Sequence, residues 1–218
     1  MKNLDQRNQI IKYSLKLNAT NLSPLRSGNI SLRGTEDDKE GYLITPSGKK
    51  YETLKPEDIV FMGINEEVGT KVLDNIPSSE WRFHRDIYLN KKNAQAIVHA
   101  HSPHATAVSS HGKSIPPFHY MIALAGGEDI KCAEYATFGT EKLSNNVIKA
   151  LKNRSACLMS NHGQVAFGKN LEQAFELAQE IENICHQYTI ALKLGEPKIL
   201  SFKEMKKVLE KAKDYKKG

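Results

Sequence analysis

The sequence predicts a mixed α/β domain in which strands and helices share one hydrophobic core. Of the 218 residues, 39% are hydrophobic and 26% are charged, which is typical of a soluble globular protein with a sizeable core. Short runs of β-branched or alternating residues recur along the chain, and stretches with helical spacing separate them. Because no internal repeat, low-complexity tract or Pro/Gly-rich linker divides the chain, we expect residues 1–218 to form a single domain.

The N-terminal quarter predicts one helix followed by three strands. Helical spacing at intervals of three and four joins Leu4, Asn8, Ile11 and Leu15. Turn residues separate the three short runs that follow, so we expect these runs to be antiparallel neighbours. They are "NISLR" (29–33), "GYLIT" (41–45) and "DIVFMGI" (58–64).

The middle of the chain alternates between helical and strand patterns. A helix is predicted from Ser78 to about Asn90, and "AQAIVHAH" (94–101) predicts a buried strand. A second helix fits residues 141–153. Two strands, "ACLMS" (156–160) and "QVAFG" (164–168), then follow, joined by a tight "NHG" connection.

A long helix is predicted after Asn170. Asn170 and Gln173 have the spacing of a capping box, and Gly195-Glu196-Pro197 supplies a stop signal. Its apolar stripe predicts a helix that lies flat on a sheet, and this stripe consists of Ala174, Ala178, Ile181, Cys185, Tyr188 and Leu192.

Charge and cysteine content limit the possible partners and compartments. The formal net charge is +6, but eight lysines and only three acidic residues lie from Lys198 onwards, so most of the excess belongs to one terminal segment. A solvated helix face explains such a segment better than nucleic-acid binding, because basic and aromatic residues do not interleave there. The three cysteines form no C-x-x-C pair and are expected to be reduced. With neither a signal-peptide core nor a membrane span in the sequence, we expect a cytoplasmic protein without a membrane partner.

Histidines cluster in "VHAHSPHATAVS", residues 98–109. Alternate residues of a strand share a face, so His99 and His101 point the same way, about 6.7 Å apart along the chain. They could bind one Zn²⁺ ion, or they could form a structural pair with hydrogen-bond partners. His162 is the best third ligand, because Gly163 allows a close backbone approach in its turn. Three protein ligands leave an open coordination position, which is typical of catalytic zinc. The remaining histidines are expected to lie next to the metal ligands without binding the metal, or at the surface, and each is most simply explained as a structural residue with one polar partner. They are His84, His104, His111, His119 and His186.

Three short polar loops have the chemistry of a phosphate pocket. Ser78 and Ser79 precede a predicted helix, where they would cap its first turn or help to bind an anion. The loops "SGN" (27–29) and "TPSG" (45–48) could present backbone N–H groups in the same way. Each loop alone is explained as a turn. Together with three histidines they indicate a phosphate pocket beside a metal, with Glu80 one residue inside the helix as a ligand or base.

An ordered series of motifs along nearly the whole chain resembles the class II aldolase/adducin family. These motifs are "SGNISLR", "YLITPSGKKYETL", "PSSEWRFH", "VHAHSPHATAVS", "SIPPFHYMIALAGG", "YATFGTEKLS" and "NHG". The resemblance implies a three-layer α/β/α fold, with a central, mostly antiparallel sheet flanked by helices. It also implies a homotetramer whose active sites lie between adjacent subunits.

The resemblance further implies a role for individual residues. One Zn²⁺ per subunit would be bound by His99, His101 and His162, and Glu80 would serve as a further ligand and as the acid/base. Tyr120, from the neighbouring subunit, would protonate the aldehyde oxygen, and Tyr215 would close over the site. The substrate phosphate would be held by Gly28, Asn29, Ser47, Gly48, Ser78 and Ser79.

The implied activity is reversible cleavage of a sugar phosphate. A ketose 1-phosphate, L-fuculose 1-phosphate or a close relative, would give dihydroxyacetone phosphate and a small aldehyde such as L-lactaldehyde, as in fucose degradation. One alternative is a 4-epimerase of the L-ribulose-5-phosphate type, but such epimerases carry Asp at the position of Glu80. A methylthioribulose-phosphate dehydratase would share the histidines, but the "FHYM" and "YATFGT" motifs favour the aldolase. A non-catalytic adducin-like interaction module would not need the histidines and Glu80 that this chain retains.

Overall fold

The protein is built on one seven-stranded sheet. The computed structural model describes residues 1–66 and 75–215. Its strands are β1 (Asn29–Glu36), β2 (Lys39–Ile44), β3 (Val60–Gly63), β4 (Ala96–Ala100), β5 (Cys132–Ala133), β6 (Ala156–Met159) and β7 (Gly163–Gly168). Their spatial order is β3-β2-β1-β4-β7-β6-β5, and among these neighbours only the β5–β6 pair is parallel. The predicted antiparallel arrangement of the first three strands is confirmed.

Helices cover both faces of this sheet. They are α1 (Leu4–Ala19), α2 (Trp81–Asn90), α3 (Pro103–Ser109), α4 (Glu141–Ala150), α5 (Leu171–Lys193) and α6 (Phe202–Tyr215). One hydrophobic cluster joins the sheet to α1, α5 and α6, and a second joins it to α2 and α4. The three-layer α/β/α architecture is therefore confirmed.

Successive residues of strand β4 point to opposite faces of the sheet. Val98 packs with the α1 and α5 side, whereas Ile97 packs with α2 and α4. His99 has the same parity as Ile97, so its buried imidazole lies on the α2 side and contacts Phe83 of that helix. The alternation thus places a polar ring on the face that α2 covers.

The buried face of α1 differs from the predicted one. Leu4 and Leu15 are 47% and 40% exposed. Two residues on the buried face of α1 are polar, so apolar residues at helical spacing could not identify this face. Arg7 donates to the Pro56 carbonyl (3.1 Å), and Ser14 donates to the Ile10 carbonyl (2.8 Å). The buried residues of this helix are Arg7, Ile10, Ser14 and Leu17.

The long helix α5 begins as predicted. The Asn170 side chain accepts a hydrogen bond from the Gln173 N–H (2.9 Å). The first four members of the predicted stripe are buried, but Leu192 is 48% exposed. A helix of 23 residues is about 34 Å long, whereas a six-residue strand such as β7 spans about 20 Å. The last turns of α5 therefore extend past the sheet.

Two further sequence expectations concern thiols and membranes. All three cysteines are free, as predicted; Cys157 and Cys185 are buried and Cys132 is half-buried. Burial raises the pKa of the Cys132 thiol to about 11, so this group is protonated at neutral pH. Over residues 1–66 and 75–215, no helix combines the length and the apolar character that a membrane crossing requires.

Two leucines of α1 test which face of this helix is buried. Leu17 is fully buried, so Leu17→Ala should lower the free energy of unfolding by about 2–5 kcal/mol. The matched control Leu15→Ala should change it by less than about 0.5 kcal/mol. Urea unfolding followed by circular dichroism measures both values. Equal losses for the two variants would contradict the observed orientation of α1.

Candidate active site

The site forms where three strand ends meet. Strand β4 lies between β1 and β7 and is antiparallel to both, so its last residues lie beside the first residues of its neighbours. Asn29 of β1 is paired with His99, and Gln164 of β7 is paired with Ala100. This pairing brings residues that are distant in the sequence together at the end of strand β4.

The turn before β7 brings His162 close to His101. The His162 N–H donates to the Met159 carbonyl (3.1 Å), which closes the predicted tight connection. A Cβ atom at Gly163 would lie 2.4 Å from the Ala100 carbonyl oxygen. Glycine is therefore required for this turn to pack against the end of β4.

Three imidazoles converge at this point. The ring centroids of His99, His101 and His162 lie 4.7–4.9 Å from one another. The Nδ1 atom of His99 is 2.8 Å from the backbone carbonyl oxygen of Gln164. Because this oxygen can only accept, Nδ1 carries the proton and Nε2 keeps a lone pair. Burial, together with His99 and His162, lowers the pKa of His101 to about 3. His101 is therefore a neutral imidazole at physiological pH, which is the form that binds metals.

The Glu80 carboxylate completes the cluster. One carboxylate oxygen, Oε2, lies 2.9 Å from the Nε2 atom of His99, and the other, Oε1, lies 3.3 Å from that of His162. Burial acts to raise the pKa of Glu80, but His99 and His162 outweigh it and hold this pKa well below its usual range. Apart from its contact with His162, the buried Oε1 atom has no hydrogen-bond partner. An ionised, partly unsatisfied carboxylate thus lies among three imidazoles.

These four residues fit a divalent metal ion. One donor atom from each of Glu80, His99, His101 and His162 lies within 4.8 Å of all the others. Tetrahedral zinc with ligand bonds of about 2.0–2.1 Å requires ligand atoms about 3.3 Å apart. The Nε2 atoms of His99 and His101 are 2.9 Å apart, and two lone pairs at that distance repel each other unless a cation or proton lies between them. Imidazole nitrogens and a carboxylate oxygen are donors that divalent metal ions accept.

A cavity of about 300 Å³ opens beside this cluster. Its walls include the predicted metal ligands Glu80, His101 and His162. All the predicted phosphate-binding residues also line it, namely Gly28, Asn29, Ser47, Gly48, Ser78 and Ser79. The sequence-predicted pocket and cluster are therefore adjacent in the fold.

Two of the polar loops are joined to each other. The Ser47 N–H donates to the Ile76 carbonyl (2.9 Å), and the Ser78 N–H donates to the Thr45 carbonyl (3.0 Å). These backbone donors are already engaged, contrary to the expectation that they could face an anion. At these two positions a phosphate would meet the side-chain hydroxyls.

The start of α2 also differs from the prediction. Glu80 is itself the N-cap residue and the helix begins at Trp81, so Glu80 is not inside the helix. Ser78 and Ser79 do not cap the first turn. The Ser78 hydroxyl instead accepts from the Glu80 N–H (3.3 Å), and the Trp81 N–H donates to the Ser78 carbonyl (3.0 Å). A tight turn thus precedes the helix and directs Glu80 towards the imidazoles.

Three large side chains at the cavity were not assigned a role from the sequence. Arg26 lines the cavity, and its Nη1 atom donates to the Gly48 carbonyl (2.8 Å). Tyr135 and Phe138 line it too, although they are 60% and 64% exposed. The available signals were a cation directly before "SGN" and two aromatic residues within "YATFGT".

The roles of the two predicted catalytic tyrosines are not tested by this geometry. Tyr120 starts a 3₁₀ helix, Tyr120–Ala125, is 57% exposed and does not line the cavity of its own chain. Tyr215 is the last residue of α6, and its side chain lies outside the described part of the structure. Their proposed roles therefore remain predictions. Among the other histidines, His104 stacks on His186 with ring centroids 3.9 Å apart, and neither lines the cavity.

Comparison with known proteins agrees with this geometry. Residues 8–189 match the family "Class II Aldolase and Adducin N-terminal domain". An L-fuculose phosphate aldolase of Escherichia coli strain K12 is 46% identical over 208 residues, covering 95% of this chain and 94% of that protein. A Rhodospirillum rubrum protein, a 5-methylthioribulose-1-phosphate/5-deoxyribulose-1-phosphate aldolase, is 42% identical over 209 residues, covering 96% of this chain and 91% of that protein.

A solved structure extends the likeness to three dimensions. An L-fuculose 1-phosphate aldolase superposes with a TM-score of 0.89 at 39% sequence identity, and the match covers 98% of both chains. The chain therefore belongs to the class II aldolase and adducin family, and it is a class II aldolase similar to L-fuculose phosphate aldolases.

Proposed function

We propose that the protein is a zinc-dependent aldolase that reversibly cleaves a ketose 1-phosphate to dihydroxyacetone phosphate and a small aldehyde. The observation that carries this proposal is the convergence of three imidazoles and one carboxylate beside a cavity lined with hydroxyl groups. The names of the relatives support it, because both describe aldolases acting on sugar phosphates.

In this proposal His99, His101 and His162 hold one zinc ion per subunit. Imidazole suits zinc, and the Glu80 carboxylate offers a further ligand on the same side. Bound there, the ion supplies Lewis acidity that stabilises negative charge on the ketose oxygens as the C3–C4 bond breaks. The backbone carbonyl of Gln164 holds the ring of His99 so that its Nε2 atom faces the proposed ion.

Glu80 moves the proton at the carbon that becomes part of dihydroxyacetone phosphate. In the cleavage direction the C4 hydroxyl would lose its proton to an ionised Tyr120, the bonding electron pair would stay at C3, and C3 would take its proton from Glu80 in the protonated form. Glu80 is 95% buried, and apart from the 3.3 Å contact with His162 its Oε1 atom has no partner, so this oxygen can exchange a proton with a substrate. In the condensation direction the same carboxylate removes the proton from C3.

The phosphate group orients the ketose. Hydroxyls of Ser47, Ser78 and Ser79 and the amide of Asn29 surround the proposed phosphate position. Arg26 contributes a permanent positive charge to the same wall, which suits a phosphate dianion. Binding at this remote group fixes the geometry at C3 and C4.

A second subunit completes the proposed site. Tyr120 would protonate the aldehyde oxygen during condensation, and its exposed ring does not line the cavity of its own chain. A homotetramer with active sites between adjacent subunits would bring the tyrosine of one subunit to the cavity of the next. The exposed rings of Tyr135 and Phe138 at the cavity support a covering by another chain.

The substrate can be identified by condensation. The enzyme should join dihydroxyacetone phosphate to L-lactaldehyde to give L-fuculose 1-phosphate, because the relatives and the phosphate pocket both favour a ketose 1-phosphate. A panel that also contains acetaldehyde and methylthioacetaldehyde, with product stereochemistry assigned by NMR, ranks the alternatives. Absence of any condensation, or interconversion of pentulose 5-phosphates without release of fragments, would contradict an aldolase.

Removal of one imidazole should eliminate metal and activity together. His101→Ala should lose bound zinc and cleavage of L-fuculose 1-phosphate, because two imidazoles and one carboxylate bind zinc far more weakly than the full set. Metal analysis and a coupled cleavage assay measure both quantities, and the exposed His111→Ala serves as the matched control. A His101→Ala enzyme that cleaves at the parent rate would refute the ligand assignment.

Neutralising the carboxylate should separate metal binding from proton transfer. In Glu80→Gln the three imidazoles remain, so zinc should stay bound, while hydrogen exchange at C3 of dihydroxyacetone phosphate slows about 10²- to 10⁴-fold. NMR in D₂O follows the exchange, and the exposed Glu57→Gln is the control. Exchange at the parent rate in the zinc-loaded variant would remove Glu80 from the mechanism.

A further inference from the structure

A chain of buried hydrogen bonds leads from the core to the Glu80 carboxylate. The Ser31 hydroxyl oxygen lies 2.8 Å from the Tyr88 hydroxyl and 2.7 Å from the Nδ1 atom of His84. The Nε2 atom of His84 lies 2.5 Å from the Asn29 Oδ1 atom, and the Asn29 Nδ2 atom donates to the Glu80 Oε2 atom (3.1 Å). Four hydrogen bonds thus connect Tyr88 with the carboxylate.

None of these groups has ready access to solvent. Ser31 and His84 are fully buried, and the other three residues of the chain are at most 5% exposed. A buried polar group without a partner costs free energy, so each member depends on its neighbours in the chain. The ring of His84 is also stacked on Phe83, with centroids 4.8 Å apart and planes inclined by 23°.

Because the Glu80 carboxylate can only accept, it fixes which atom donates in every hydrogen bond of this chain. An ionised carboxylate only accepts, so the nitrogen of the Asn29 amide must face Glu80 and the oxygen must face His84. That oxygen also only accepts, so the Nε2 atom of His84 must carry the proton. The Nδ1 atom of neutral His84 must then accept from the Ser31 hydroxyl, which in turn accepts from Tyr88. All the donors point towards the carboxylate.

We propose that His84 is a positioning residue, which holds the Asn29 amide so that its N–H groups face the Glu80 carboxylate and the phosphate side of the cavity. The inference rests on the proposed function, because it concerns the acid/base of that reaction. Without the Nε2–H donor, the amide could rotate by 180° and place its oxygen against the carboxylate. The sequence alone predicts a histidine next to the metal ligands or at the surface here, and it assigns this residue no specific task.

The position of His84 suits this role. His84 lies on α2, four residues after Glu80, so the helix that presents the carboxylate also presents the residue that orients it. Burial in the core lowers the pKa of His84 to about 3, and the neighbouring His99 acts in the same direction, whereas Glu80 acts to raise it. The imidazole is therefore neutral at physiological pH and keeps a single arrangement of donor and acceptor.

Two substitutions of His84 distinguish the loss of its hydrogen-bond donor from the loss of its packing. His84→Phe keeps a flat ring but removes the donor, and we expect kcat for ketose 1-phosphate cleavage to fall about 10- to 100-fold, with bound zinc retained, since small misplacements of catalytic groups have effects of this size. His84→Gln places an amide nitrogen near the position of Nε2 and should recover kcat to within about fivefold of the parent. The exposed His111→Phe is the matched control and should leave kcat unchanged.

The outcomes distinguish this inference from the proposed function. If the parent enzyme itself cleaves no ketose 1-phosphate, the proposed function fails. If the parent is active and His84→Phe matches its kcat, or His84→Gln falls as far as His84→Phe, the positioning role is wrong. Should His84→Phe not fold, Ser31→Ala takes its place, because it removes the donor that holds Nδ1 as an acceptor. A Ser31→Ala enzyme with the parent kcat would also overturn the proposal, whereas a drop of about three- to tenfold would support it.

Discussion

The site depends on the antiparallel pairing of β4 with both of its neighbours in the sheet. This pairing places the end of one strand beside the starts of two others, so that His99, Asn29 and the turn containing His162 meet although they are far apart in sequence. Glycine at position 163 lets the turn pack against the Ala100 carbonyl. A shift of one residue in either pairing would turn His99 to the opposite face of the sheet and separate the ligands.

The charged and polar groups of the site are divided between two adjacent positions. A buried carboxylate is stable as an ion only when positive charge or oriented donors surround it. The Asn29 amide donates to Glu80, and a cation held by the neighbouring imidazoles would supply the positive charge. The donors of the buried chain that starts at Tyr88 all point to this carboxylate. On the cavity side the residues are neutral hydroxyls and amides, with Arg26 as a permanent cation. The fold thus has one position suited to a cation and an adjacent position suited to a phosphate.

Much of this architecture could be predicted from the sequence, because the signals were local. Alternating runs located the strands, the Asn170 cap located α5, and the H-x-H spacing with the "NHG" turn identified the imidazoles that converge. The buried face of α1 could not be predicted from hydrophobic residues, because two of its members are polar. Arg7 and Ser14 are buried with their side chains hydrogen-bonded to backbone carbonyl groups. The contacts of His84 and Arg26 could not be predicted for a similar reason, because each joins residues more than twenty positions apart in the sequence.

The central claim is that three imidazoles and one carboxylate share a single metal ion. Metal analysis of the purified protein, combined with X-ray absorption at the zinc edge, tests it most directly. We expect one zinc ion per chain, surrounded by nitrogen and oxygen ligands at about 2.0–2.1 Å and by no sulfur. A protein without stoichiometric metal after purification and zinc addition, or a zinc ion bound through sulfur, would contradict the account.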